Sequence, residues 1–177
     1  MSGIFDIVQQ QLNGGALQQI AERAGIDPAV AQQAVNVALP KVLGSMAQHA
    51  SQPENAQVIH DEADKYHNAG VLGNLPSIFT GTGDGGGILN KVAGQRHEEI
   101  QNGVANATGI DKAKAGTVIG VVGAAVLGAI ALKKHQEGLQ PQQVQGQLQQ
   151  AQQQAQARAT GTSGSSASEG FREGPRA

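Results

Sequence analysis

The chain has 177 residues, with 12 Lys and Arg against 14 Asp and Glu, 25 Gly, 2% aromatic residues and no cysteine. That length supports one domain or two small intertwined halves, and the near-balanced charge gives no whole-chain bias toward nucleic acid or an anionic membrane surface. Disulfides, thiol catalysis and cysteine-ligated metal are excluded, and the scarcity of aromatics leaves a core of Ala, Val, Ile and Leu that favours closely packed helices over a sheet.

Met1-Ser2-Gly3-Ile4-Phe5-Asp6 has neither the basic nor the apolar region of a secretion signal, so the expected location is the cytoplasm. Ser2 can cap a first helix in which Ile4, Phe5, Val8 and Leu12 recur at helical spacing, and Asn13-Gly14-Gly15 ends it. A second helix spans about 16–24, with Leu17, Ile20 and Ala24 on one face and Gly25 just past its end. Asp27-Pro28 then starts a long third helix, whose Val30, Ala31, Ala34, Val35, Ala38, Leu39, Val42, Leu43 and Met46 form a wide apolar stripe. Pro40 inside that stripe predicts a kink near residues 36–40 rather than a break. Pro53 opens a further helix reaching residue 66 or 67, and a connector with a short helical turn at Leu72, Leu75, Ile78 and Phe79 leads into the glycine run 81–87.

From there the chain echoes itself. At a constant offset of 84, Gly25-Ile26-Asp27 falls on Gly109-Ile110-Asp111, Val42-Leu43-Gly44 on Val126-Leu127-Gly128, and Gly3-Ile4 on Gly87-Ile88. The expected fold is therefore all-α: a helical domain over 1–138 built from two pseudo-repeated units, 3–47 and 87–131, joined by the connector 48–86. Gly44 and Gly128 share a position well inside the two long helices, which predicts that the helices cross there at close approach. Residues 139–177 turn Gln-rich and then Ser- and Gly-rich, and are expected to be a disordered tail. Val144, Leu148, Ala151 and Ala155 do follow a 4-3-4 spacing, but most of those contacts would be alanine and Gly146 interrupts the pattern.

Gly25-Ile26-Asp27-Pro28, Ala38-Leu39-Pro40, Leu43-Gly44, Asp64 with His67, Asp84-Gly85-Gly86-Gly87-Ile88-Leu89 and Thr108-Gly109-Ile110-Asp111 together resemble the bacterial family known as domain of unknown function 937. The likeness covers residues 1–139 and excludes the tail. It implies an all-helical bacterial domain and brings no catalytic residues with it. The connector departs from the family pattern in reading Asp-Lys-Tyr-His-Asn-Ala-Gly at 64–70, and the second long helix is unusually rich in glycine.

Four stretches invite a functional reading. Residues 115–132 are uncharged, flanked by Lys112, Lys114, Lys133 and Lys134, and approach the roughly 20 residues of a membrane span. The equivalent positions of the first unit hold Gln32, Gln33, Asn36 and Lys41, which favours a buried core helix, and no membrane partner is expected. Residues 17–35 have a helix-turn-helix layout, yet the helix that would touch bases presents Asp27, Ala29, Gln32 and Gln33, and only the second unit adds Lys112 and Lys114. His60, Asp64 and His67, at i, i+4 and i+7, share a helix face of the kind that can ligand zinc, although a solvated polar face explains the same residues and no metal site is expected. Residues 81–86 fit GxGxxG without the strand such a motif needs, so no cofactor is expected either. No nucleophile, base and orienting group can be assembled. The expectation is a non-enzymatic protein-association or scaffold domain whose partner is protein, a second copy of itself included, with weak nucleic-acid binding by the Gly-Ile-Asp hairpins as the alternative.

Overall fold

The computed structural model describes residues 3–12, 15–69 and 97–173, with side chains described at 3–12, 17–64 and 98–157. Helices α1 (Ile4–Leu12), α2 (Gly15–Ala24), α3 (Pro28–His49), α4 (Pro53–Ala69), α5 (His97–Thr108), α6 (Lys112–Glu137) and α7 (Pro141–Glu173) make up the fold, with no strand among the described residues. The connector's apolar turn and the GxGxxG stretch lie outside the described residues, as does Ser2.

The helix ends follow local chemistry. Asp6 Oδ2 accepts from the Gly3 N–H at 3.4 Å, closing the start of α1. The α2–α3 corner turns on Gly25 at φ 72°, with the Ile26 N–H donating back to the Ala21 carbonyl at 2.9 Å. The α5–α6 corner turns on Gly109 at φ 79°, whose N–H donates to the Ala105 carbonyl at 2.8 Å. Both following helices start after an extended aspartate. Asp111 accepts from the Lys114 N–H, whereas Asp27 makes no side-chain cap and leaves the start of α3 to Pro28. These two corners and the helices they join sit 84 residues apart, while the stretch corresponding to α1, residues 88–96, lies outside the described residues.

α3 continues through Pro40 as one helix. Proline there frees the Asn36 carbonyl, which the exposure of Asn36 leaves open to water. Two long helices organise the core. α6 is packed by α1, α2, α3, α4 and α5, and every residue from 118 to 131 is buried. Among the described residues it is the one helix long and apolar enough to cross a membrane, and most of its apolar stretch is covered by its neighbours. α3 packs against α7, α6, α5 and α2.

α7 corrects the expectation of a tail that is disordered from residue 139. Leu139, Val144, Leu148, Ala151 and Ala155 are all buried in the main core cluster. The helix is started by Pro141 and by a reciprocal pair in which Gln143 Oε1 accepts from the Gln140 N–H while the Gln143 N–H donates to the Gln140 carbonyl. The domain thus extends at least to Ala155. Composition misled because a stripe of one Val, one Leu and two Ala is too thin to hold a free helix but sufficient once α3 supplies the opposing surface.

Candidate helix-docking face

α7 follows α6 directly in the chain yet packs mainly on α3, α4 and α1. Gly138 makes this possible: at φ 69° and ψ 35° it stops α6 with its N–H donating to the Lys134 carbonyl, and the chain turns away. Leu139 then drops into the core, where its carbonyl accepts from His60 Nε2–H at 2.8 Å. Four anchors follow at 4-3-4 spacing, Val144, Leu148, Ala151 and Ala155, of which Val144 and Leu148 are fully covered. The alanines allow close approach of α7 to α3.

The adjoining row of α7 repeats the same spacing one residue later: Gln145, Gln149, Gln152 and Gln156. These glutamines face a groove of about 600 Å³ whose other walls are α3, through Val37, Lys41, Gly44 and Gln48, and the start of α5, through Glu99 and Ile100. Gly44 takes part directly. The position a Cβ would occupy lies 2.5 Å from Gln152 Nε2, so the missing side chain makes room for that amide. This corrects the expectation that Gly44 marks a crossing with α6, since its close neighbour is a side chain of α7. Gly128 is buried within α6.

Of the three residues weighed as possible metal ligands, His60 and Asp64 are engaged in contacts between helices. Asp64 Oδ2 lies 2.8 Å from Lys134 Nζ and its Oδ1 lies 3.2 Å from His135 Nε2, while Lys134 Nζ also donates to the His60 carbonyl at 3.1 Å. The Lys134 hydrogen bond holds the Asp64 carboxyl below its ordinary range; partial burial opposes this, and His135 adds to it. His60 Nδ1 is buried without a hydrogen-bond partner, 3.7 Å from Asp61 Oδ1. His67 lies on α4 with its side chain outside those described. Among the described residues, no group of three or more His, Cys, Asp and Glu is arranged to hold a metal ion. The cluster instead ties α4 to the end of α6 and to the hinge that precedes α7.

The two Gly-Ile-Asp corners, read as possible nucleic-acid contacts, line one crevice of about 590 Å³, with Glu22, Gly25, Ile26 and Asp27 on one side and Thr108, Gly109 and Ile110 on the other. Lys112 is drawn to Glu98 at 3.5 Å and Lys114 Nζ to the Gly25 carbonyl at 3.4 Å. Both contacts are long and solvent-exposed, and the crevice between the corners also holds the carboxylates of Glu22 and Asp27.

Together these features define an all-helical bundle carrying an amphipathic helix seated on its outer face. The family model described as Bacterial protein of unknown function (DUF937) matches residues 6–133, and the chain belongs to that family. No curated protein and no solved structure matches it. The family match ends one turn before the end of α6, so α7 lies beyond the matched residues although it fills part of their core.

Proposed function

We propose that this chain is a non-enzymatic protein-association domain of the cytoplasm, which recognises an amphipathic helix on the face made by α1, α3 and α4. The observation that carries this reading is α7 itself. A helix from outside the family unit docks there through Val144, Leu148, Ala151 and Ala155, the arrangement by which helix-binding domains take their ligands. Contact rather than catalysis is supported by the engagement of His60 and Asp64 in links between helices. A cytoplasmic location is supported by the use of α6 as the core helix, its apolar surface covered by neighbouring helices.

The test uses the full-length Leu148→Asp variant, in which a charge in the docking seam dislodges α7, titrated into a fluorescent peptide of residues 139–157. Helix content of the variant is followed by circular dichroism. The peptide should bind, excess unlabelled peptide should displace it, and mixed-sequence DNA should not. A variant that stays helical but ignores the peptide contradicts the proposal. DNA binding that weakens steeply with salt would favour the nucleic-acid reading instead.

A further inference from the structure

We propose that the helix received by this face in solution is α7 of a second copy, exchanged through the hinge at residues 138–140. The inference rests on the helix-docking reading above and names its partner. Three observations lead to it. First, only Gly138, Leu139 and Gln140 separate α6 from α7, and the corner depends on Gly138 holding a left-handed conformation. Second, α7 is held mainly by α1, α3 and α4 and little by the helix that precedes it. A rotation at the hinge can therefore carry α7 off its own bundle without unpacking α6.

Third, residues 138–157 carry no charge. The same uncharged segment from another copy meets no repulsion at the seam, and the contacts described for it in cis can be remade in trans: the four anchors in the core, Gln152 over Gly44, and, from the hinge, the Leu139 carbonyl on His60. The two forms then differ at the hinge and in the entropy of association, the condition under which an element is exchanged between identical chains. In the exchanged dimer the glutamine wall of the groove comes from the partner copy, so each groove is completed by two chains.

The absence of native cysteine gives a clean test. Gly44→Cys and Gln152→Cys are prepared as two full-length single variants and as a double variant, and a short bis-maleimide is used as crosslinker. The two single variants are mixed at high concentration, incubated, diluted and crosslinked, at low and at high salt. Exchange predicts a covalent heterodimer in the mixture at both salt concentrations, because the seam is uncharged. Gly138→Ala, which strains the left-handed corner, should raise its yield by on the order of tenfold. Intramolecular crosslinking of the diluted double variant confirms that the folded pair is within reach. If the double variant crosslinks within one chain while the mixture gives no heterodimer, exchange is overturned. In that case a dimer mass by light scattering, or peptide binding by Leu148→Asp, leaves the association reading standing, whereas loss of both removes that reading as well.

Discussion

Glycine at three positions illustrates how one residue type serves different physical ends. Gly25 and Gly109 adopt φ of 72° and 79° with nothing within 4 Å of where a Cβ would lie, so alanine meets no clash there but must hold a left-handed backbone. Each Gly→Ala change should cost about 1–2 kcal/mol, read by urea melts. Gly44 is the opposite case: its backbone is helical, and the obstacle is the far end of the flexible Gln152 side chain. Gly44→Ala should therefore be neutral or stabilise by up to about 1 kcal/mol as the amide swings aside; a loss above about 1 kcal/mol would mean that Gln152 is pinned. Asp64 makes a prediction about pH. Its carboxyl is held low chiefly by the Lys134 hydrogen bond, so its ionised form contributes stability above the ordinary aspartate value near 4, and that contribution fades as pH falls through the lowered folded value. Because 48% of the side chain is exposed, the contribution should stay under about 1 kcal/mol. Asp64→Asn should shallow the acid limb of the stability profile between about pH 5 and pH 2; an unchanged acid limb would show that the contact with Lys134 is not maintained in solution.

Among the helices, α7 is the element whose weight is most open to measurement. Leu148 is fully buried, and Leu148→Ala should cost about 2–4 kcal/mol. Truncation after Gly138 should lower the melting temperature by much more than a degree or two, whereas an unpacked tail would be lost without consequence. Other elements are specified locally. Pro28, Gly25, Gly109 and Asp111 act on the backbone within a few residues, so the α2–α3 and α5–α6 corners are legible in the sequence itself. The apolar stripes of α3 and α6 likewise announce their own burial. α7 is different because its thin Val144, Leu148, Ala151, Ala155 stripe has value only against a surface formed by residues about a hundred positions earlier. The glutamine row beside it was legible as a spacing, since 145, 149, 152 and 156 repeat the apolar register, but nothing local says what those amides face. In the same way Gly44 signals that something comes close without saying which helix. The Asp64–Lys134 pair joins residues 70 apart and left no mark on periodicity.

At the scale of the whole bundle, the described helices centre on α3 and α6, with α7, from beyond the family match, completing their core. Exchange requires α7 to be both docked and separable: docked because its anchors are buried, separable because it hangs from a three-residue hinge and leans little on α6. Native-state hydrogen exchange on the full-length chain reads both properties at once. The amides of residues 144–156 should be protected well above the level of a free helix, yet should open with a smaller free energy than those of residues 118–131 in α6. Exchange at the free-helix rate would show that α7 is not docked, and protection equal to that of α6 would show that it does not separate; either result contradicts the account.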